Sequence, residues 1–320
     1  MTTNATPKTF PAQRPGVFYL TEGGLETEIL YKWGFELPQF AVYPLLDNPD
    51  AMSAITGIYH RFLDIAAKYK LSVIIGGFDY RASPDWGNLL GYSATALADA
   101  TLESIQWLRD VSKDYQGDIP EIWIQGYIGP RGDAYQLNRT ITAEEAEDYH
   151  SPQLETLVRA DVDIVCAITI NNVPEATGIA RAARTVGLPL NVSFTLDSNS
   201  KLKSGPSLEE AITAVDEQTD SAPAFYAINC SHPFEFEPGI TPGDWIKRLR
   251  SIRPNASKME KIALCKLGYL EEGDPVELGQ LIGDLARRNP HMDIWGGCCG
   301  TGHVHLEEIV KNLPLTANQA

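Results

Sequence analysis

Short apolar runs rich in β-branched residues recur along the chain, and each is followed by a turn and a longer amphipathic stretch. A short apolar run bounded by turn residues predicts a strand that is buried on both faces. The predicted strands are Val17–Leu20, Ser72–Ile75, Ile122–Tyr127, Asp163–Ile168, Leu188–Phe194, Ala224–Ile228, Leu249–Ile252 and Met292–Trp295. The seventh run is the weakest, and Ile262–Cys265 competes with it for that position.

The stretches between these strands carry apolar residues at helical spacing. The predicted helices are Pro49–Lys68, Thr95–Ser112, Ala143–Ala160, Val173–Val186, Leu208–Gln218, Val276–Arg288 and His303–Asn312. Eight strands that alternate with helices are typical of the (β/α)8 TIM barrel, an α/β fold. A doubly wound sheet would carry a Gly-x-Gly-x-x-Gly turn after its first strand, and Glu22-Gly23-Gly24 does not match that motif. We therefore predict a single barrel domain over residues 15–320, preceded by a flexible lead-in over residues 1–14.

Composition and charge narrow the classes of function. The chain has 320 residues, of which 43% are hydrophobic and 21% are charged, as in a globular protein with a sizeable core. The formal net charge of −16 opposes binding to nucleic acid or to anionic lipid, because both require a basic surface. No apolar run reaches the roughly 18 residues that a membrane-spanning helix needs. Five cysteines in a chain of this length do not indicate a disulfide framework, so we predict a cytoplasmic protein with free thiols.

Three of the cysteines lie where predicted strands end. Asn229-Cys230 follows the sixth strand, and Gly296-Gly297-Cys298-Cys299-Gly300 follows the eighth. The carboxyl ends of all strands lie on one face of a TIM barrel, and catalytic residues are found there. Adjacent cysteines do not readily bond to each other, because the disulfide strains the peptide between them. We therefore expect Cys230, Cys298 and Cys299 to converge on one soft metal ion, with zinc as the expected cofactor.

Three protein sulfurs leave tetrahedral zinc one ligand short, which is typical of a catalytic zinc site. A substrate thiol in the fourth position loses its proton, because metal binding favours the thiolate. The excess negative charge keeps that sulfur nucleophilic and attracts a cationic methyl donor. Methyl transfer then neutralises the charge, which a water-poor end of a barrel favours. The cysteines therefore permit methyl transfer from a sulfonium or quaternary ammonium donor to a zinc-bound thiolate.

Five segments of the chain form an ordered set of motifs. They are Gly23-Gly24-Leu25-Glu26-Thr27-Glu28, Gly126-Tyr127-Ile128-Gly129-Pro130, Ile228-Asn229-Cys230, Pro254-Asn255-Ala256 and Gly296-Gly297-Cys298-Cys299-Gly300-Thr301. With these motifs the chain resembles the zinc-dependent homocysteine S-methyltransferase family over nearly its whole length. The resemblance implies a barrel, zinc on the three cysteines, and methyl transfer to a thiol, with homocysteine giving methionine. The match at Pro254-Asn255-Ala256 also favours Leu249–Ile252 as the seventh strand.

The chain departs from the family pattern at three strand ends. Glu22 stands where the family commonly has an Asp that helps to bind the amino acid. Ile168 begins Ile168-Thr169-Ile170-Asn171, where the family usually has Glu-Thr-Ile-Pro and the Glu contacts the substrate amine. Gly77-Phe78 replaces a Thr-Asn pair after the second strand. Loss of a charged contact to a buried ammonium costs about 1.5–3 kcal/mol, so either Glu22 compensates or the acceptor is a different thiol.

Further residues on the same predicted face are candidates for substrate binding. They are Glu22, Gly23, Gly24, Tyr80, Trp86, Thr169, Asn229 and Gly297. The rings of Tyr80 and Trp86 could hold a cationic donor through their negative faces, although loop aromatics also serve as packing. Asn229 precedes a predicted metal ligand and could orient its sulfur or contact the substrate. No catalytic group is predicted beyond the bound thiolate itself.

Other polar residues have simpler explanations. Glu26 and Glu28 are expected to begin a helix, where carboxylates suit the positive end of the helix dipole. His303 and His305 are two positions apart on a predicted helix and so point in different directions. His232 lies two residues after Cys230 and is better placed to support the sulfur site.

The expected partners are small molecules: a thiol acceptor and an onium donor such as S-methylmethionine, S-adenosylmethionine or a betaine. The chain carries no Asp-x-His-x-x-Gly signature of cobalamin binding, which argues against a methylfolate route. Three alternatives remain: the same chemistry on a thiol other than homocysteine, a zinc hydrolase, and a zinc-binding barrel without catalytic activity. The oligomeric state does not follow from the sequence.

Overall fold

The predicted strands close into a parallel barrel. The computed structural model describes residues 8–136, 141–316 and 319. Within these residues the strands are hydrogen-bonded in chain order, and the first pairs with the eighth to close the barrel. The strands are Tyr19–Thr21 (β1), Ser72–Gly76 (β2), Ile122–Ile128 (β3), Ile164–Ile170 (β4), Leu190–Phe194 (β5), Phe225–Asn229 (β6), Leu249–Arg253 (β7) and Ile294–Trp295 (β8). The (β/α)8 prediction is confirmed.

Helices connect the strands and bury one side against the barrel. They are Leu25–Tyr31 (α1), Pro49–Lys68 (α2), Pro84–Leu89 (α3), Ala94–Ser112 (α4), Ala143–Arg159 (α5), Val173–Val186 (α6), Leu208–Thr219 (α7), Pro233–Phe236 (α8), Lys261–Cys265 (α9), Pro275–Arg288 (α10) and His303–Asn312 (α11). Capping explains why several start where they do: Thr142 Oγ1 accepts from Glu145 N at 3.1 Å, and the Glu145 carboxylate accepts from Thr142 N at 2.9 Å. In the described part of the chain, no helix has the length and apolar character needed to cross a membrane.

The seventh strand is Leu249–Arg253, in agreement with the motif that follows it. The competing run, Ile262–Cys265, instead forms most of the short helix α9. Burial accounts for the difference: Leu249 and Ile252 are fully buried between β6 and β8, whereas Ile262 is 41% exposed. An apolar run that stays this exposed gains little from joining a sheet that is covered on both faces.

Polar side chains form a layer inside the barrel. Asn191 Nδ2 donates to Gln125 Oε1 at 3.0 Å, which links β5 to β3. Ser193 Oγ donates to Asn229 Oδ1 at 2.7 Å, which links β5 to β6. Buried polar groups are tolerated when they are paired in this way, and the pairing fixes their orientation. The layer therefore supports side chains at the carboxyl ends of the strands.

The amino end of the barrel is closed by Phe10, Arg250 and Asp293, which we call the amino-end closure. Arg250 donates to both carboxylate oxygens of Asp293, at 2.9 Å from Nε and 2.6 Å from Nη2. The Phe10 ring packs against Trp123 with centroids 4.8 Å apart. Residues 8–14, which the sequence assigns to the flexible lead-in, thus contact the barrel, and residues 1–7 lie outside the described part.

Candidate metal and substrate site

Three cysteines meet at the carboxyl-end face of the barrel. Cys230 directly follows β6, and Cys298 and Cys299 lie in the loop after β8. Their Sγ atoms all lie within 4.8 Å of one another, and no other group of potential metal ligands of this kind occurs among the described residues. Cys230 has a φ of 51°, a left-handed conformation that turns the chain sharply at the end of β6. The barrel geometry thus brings together the three residues that the sequence proposes as ligands.

Glycines allow the two loops around the cysteines to approach closely. A Cβ atom on Gly24 would lie 2.5 Å from the Cys298 carbonyl oxygen, and one on Gly23 would lie 2.6 Å from the Thr301 carbonyl oxygen. The Gly24 N–H donates to that Thr301 oxygen at 2.9 Å. The turn after β1 therefore lies flat against the cysteine loop and holds it in place.

The sulfurs are spaced to fit a zinc ion. The Sγ atoms of Cys230 and Cys298 are in close contact, and their Cα atoms are 5.4 Å apart. Cys230 and Cys299 have sulfurs 3.9 Å apart. Two sulfurs on one tetrahedral zinc lie about 3.8 Å apart, because each Zn–S bond is about 2.3 Å. As thiolates, the three sulfurs would hold such an ion and leave a fourth position for a substrate.

Asn229 ties the cysteine cluster to the strand ends below it. Its Nδ2 lies 2.8 Å from Thr169 Oγ1 and 3.8 Å from Cys298 Sγ. Its Oδ1 accepts from Thr169 N at 3.0 Å and from Ser193 Oγ at 2.7 Å. With both polar atoms paired, the amide is fixed and directs an N–H toward sulfur. Asn229 thus lies beneath the cavity and orients Cys298.

A cavity adjoins the cysteines. The predicted site residues in its lining are Glu22, Gly23, Gly24, Tyr80, Thr169, Cys230, Cys298 and Cys299. Ile168 also lines it, so the carboxylate that the family pattern places at the end of β4 is replaced by an apolar wall.

Trp86 and Gly297 are not brought into this lining. The Arg81 guanidinium lies 4.2 Å from the centroid of the Trp86 ring and occupies its face. Gly297 instead has a packing role, since a Cβ atom there would overlap Thr301 Oγ1. Its carbonyl oxygen accepts from Arg253 Nε at 3.1 Å.

Sequence reasoning missed two residues that share the Glu22 carboxylate. The Tyr127 hydroxyl donates to Glu22 Oε1 and accepts from Arg253 Nη1. Arg253 Nη2 is 3.3 Å from the same Glu22 oxygen, whereas Glu22 Oε2 has no hydrogen-bond partner within the described ranges. Burial lowers the pKa of Arg253, but Tyr127 and Glu22 raise it more, so the guanidinium stays charged. The available signal was position: Tyr127 lies within a recognised motif and Arg253 directly precedes another.

The remaining candidates, Glu26, Glu28, His232 and His305, lie at helix starts or contact the backbone, outside the cysteine cluster. Helix α1 begins at Leu25, which confirms the expectation for Glu26 and Glu28, and Glu28 pairs with Arg61 at 2.8 Å. His232 caps α8, where its Nδ1 accepts from the following turn at 3.3 Å. His305 contacts the backbone oxygen of residue 272 at 2.7 Å, outside the cysteine cluster.

Negative charge in this cavity is costly without a cation. Glu26 lines the cavity, and burial raises its pKa. Burial also raises the pKa of the Cys299 thiol to about 12. Both shifts have the same cause, because a charged group loses its hydration when it is buried. A metal ion at the sulfurs and a cationic substrate near the carboxylates would each offset that loss.

Comparison with known proteins agrees with this geometry. A sequence model of the family described as homocysteine S-methyltransferase matches residues 19–313. No match was found among curated proteins. The metallated form of the homocysteine methyltransferase MmuM from Escherichia coli has a TM-score of 0.70 and 18% identity, covering 92% of this chain and 96% of that one. Its oxidized form has a TM-score of 0.71, with the same identity and coverage. At this level of identity the likeness demonstrates a shared fold.

Proposed function

The chain belongs to the homocysteine S-methyltransferase family, and on that premise we propose that it transfers a methyl group from a small onium donor to homocysteine, giving methionine. The observation that carries this proposal is the convergence of Cys230, Cys298 and Cys299, whose sulfurs lie within 4.8 Å of one another beside the cavity. Zinc is the proposed cofactor, because three thiolates with an open position suit it. A metallated form of the Escherichia coli relative is consistent with a metal in this fold.

The proposed reaction neutralises charge inside the cavity. Bound zinc would supply the positive charge that favours the thiolate form of the acceptor sulfur. The thiol proton leaves to solvent, and a sulfur lone pair forms the new bond to the methyl carbon. The bond from that carbon to the positively charged sulfur or nitrogen of the donor breaks, and its electron pair stays on the donor atom. Asn229 contributes by holding Cys298 and Thr169 in a fixed orientation.

The donor is proposed to enter through a second cavity that adjoins the first. This cavity shares Phe40, Tyr80, Tyr135 and Cys299 with the first. Aromatic faces attract onium groups, so these rings suit a cationic donor better than a neutral one. The shared wall places the donor beside the sulfur cluster.

Glu22 is proposed to bind the ammonium group of the acceptor. It lines the cavity, and its Oε2 is buried without a partner in the described part of the chain. Ile168 stands where the family pattern has a carboxylate that contacts the substrate amine. An ammonium group can donate to Glu22 Oε2 instead. Homocysteine therefore remains the proposed acceptor.

The test is methyl transfer by reduced, zinc-loaded protein. L-homocysteine is offered with S-methylmethionine, S-adenosylmethionine and betaine in turn, and methionine is measured. We expect turnover with one of these donors and no detectable turnover in Cys299→Ser. Cys265→Ser is the matched control: Cys265 is exposed and lines the second cavity but is not one of the clustered sulfurs, so this variant should bind zinc as the wild type does and should still turn over.

Other outcomes of this assay would overturn the proposal. Turnover only with thiols other than homocysteine would remove homocysteine as the acceptor. Stoichiometric zinc without turnover of any pair would indicate a barrel without catalytic activity. Because zinc binding needs all three cysteines as thiolates, we propose that the enzyme works in a reducing compartment such as the cytoplasm.

A further inference from the structure

We infer that Tyr127 and Arg253 position Glu22 so that one carboxylate oxygen is held and the other is presented to the acceptor's ammonium group. These two residues would then determine the preference of the site for an amino-acid thiol. The inference deepens the proposed function and rests on it for the identity of the acceptor.

The three side chains come from three separate strands and meet across the carboxyl end of the barrel. Glu22 follows β1, Tyr127 lies on β3, and Arg253 ends β7. Arg253 divides its donors among three partners: Nε to the Gly297 carbonyl at 3.1 Å, Nη1 to the Tyr127 hydroxyl, and Nη2 to Glu22 Oε1 at 3.3 Å. A planar guanidinium held at three points has one orientation, so Glu22 Oε1 is fixed with it.

This arrangement leaves Glu22 Oε2 unsatisfied. The side chain of Glu22 is only 8% exposed, and Oε2 has no partner among residues 8–136, 141–316 and 319. A buried polar atom without a partner costs about 1–3 kcal/mol, and more when it is charged. A ligand that donates to Oε2 recovers this cost. An ammonium group does so and also offsets the charge of the carboxylate.

Gly76 on β2 provides space for the Tyr127 ring. A Cβ atom at Gly76 would overlap the Tyr127 ring. The Tyr59 hydroxyl donates to the Gly76 carbonyl at 2.7 Å and fixes the strand at this point. The glycine at the end of β2 is therefore what allows the Tyr127 ring to reach Glu22.

The other carboxylate in the lining is not held in this way. Glu26 also lines the cavity, but among the described residues no hydrogen bond ties its side chain to Tyr127 or Arg253, and burial raises its pKa. Ile168 supplies no charge at the end of β4. Glu22 is thus the lining carboxylate whose orientation is fixed by neighbours, and we assign selectivity for the amino group to its Oε2 atom.

The test compares two acceptors that differ only in the amino group. L-homocysteine and 4-mercaptobutyrate are titrated into reduced, zinc-loaded protein by calorimetry, and the ratio of their Kd values is taken. The wild-type ratio is expected to favour homocysteine by roughly 10–100-fold, as for a hydrogen bond between charged groups. Glu22→Gln should remove most of this preference.

Tyr127→Phe and Arg253→Lys should each lower the ratio by about 5–10-fold, since each frees Glu22 to adopt other orientations. The loss should fall on homocysteine alone and raise its KM with little change in kcat, whereas 4-mercaptobutyrate should bind as before. Arg250→Lys is the matched control: the same substitution on the same strand, at a buried arginine of the amino-end closure. It should lower Tm and leave the ratio unchanged.

The outcomes separate this inference from the proposed function. Equal affinity of the wild type for both thiols overturns the inference. So does a ratio of Kd values that is unchanged from the wild type in both Tyr127→Phe and Arg253→Lys. Binding of neither thiol overturns it as well. Selective binding of homocysteine without turnover would support the inference and contradict the proposed function.

Discussion

Arg250 and Arg253 lie on the same strand, β7, and both are buried, yet they serve the two ends of the barrel differently. At the amino end, Arg250 pairs two donors with both oxygens of Asp293, at 2.9 and 2.6 Å. At the carboxyl end, Arg253 and Tyr127 share one oxygen of Glu22 and leave the other without a partner in the described residues. The Arg250–Asp293 pair uses both carboxylate oxygens and stabilises the fold. The Arg253–Glu22 pair leaves one carboxylate oxygen available to bind a ligand.

Removal of Arg250 tests the structural half of this comparison and should have the largest effect. Arg250→Met leaves Asp293 buried without its partner, so the free energy of unfolding should fall by about 3–5 kcal/mol. Urea unfolding of the reduced, zinc-loaded protein measures the change. At low temperature, where the variant is folded, zinc content and homocysteine affinity should match the wild type. Unchanged stability, or loss of zinc from the folded variant, would contradict the separation of the two ends.

Asn229→Asp tests the support of the sulfur cluster. The substitution replaces the N–H that points at Cys298 with a carboxylate oxygen, so the sulfur loses a donor and gains a negative neighbour. We expect zinc affinity to fall by about 10–100-fold, as is typical for groups that orient metal ligands. Competition with a chromophoric chelator measures this affinity.

Asn191→Asp is the control for that experiment. Asn191 is a buried amide on the neighbouring strand β5, and its Nδ2 contacts Gln125 at 3.0 Å. The same substitution there should alter stability and leave zinc affinity within about threefold of the wild type. Equal losses of zinc affinity in both variants would indicate a general effect of buried charge.

Tyr80→Leu tests the donor side and should have the smallest effect. Loss of an aromatic face from the wall shared by the two cavities should raise the KM of the donor by roughly 2–30-fold, the range of a cation–π contact. Trp86→Leu is the control: Arg81 lies over both rings, 4.7 Å from the Tyr80 centroid and 4.2 Å from the Trp86 centroid, but Trp86 lines neither cavity. Comparable effects of the two substitutions on the donor KM would contradict a donor site at Tyr80.

The fold was predictable because its signal is local. Each apolar run and each amphipathic stretch can be recognised within its own segment, and alternation of the two specifies the barrel. Cys230, Cys298 and Cys299 were also predictable, since each follows a strand and the carboxyl ends of parallel strands share one face. The barrel topology then brings them together without further information.

The polar contacts of the cavity were not predictable from such local signals. Glu22 and Arg253 are 231 positions apart, and their contact depends on the register and tilt of β1 and β7, which lie on either side of β8. The direction of a loop side chain is equally dependent on its neighbours: Arg81 lies over both the Tyr80 and the Trp86 ring, yet only Tyr80 lines the cavity. Residue type and spacing do not encode these directions.

X-ray absorption at the zinc edge tests the central proposal most directly. Reduced protein loaded with zinc should show the metal bound by three sulfurs at about 2.3 Å, and addition of homocysteine should raise the count to four sulfurs at the same distance. Protein that retains no zinc under reducing conditions would contradict the account. So would a zinc ion whose sulfur count stays the same when homocysteine is bound.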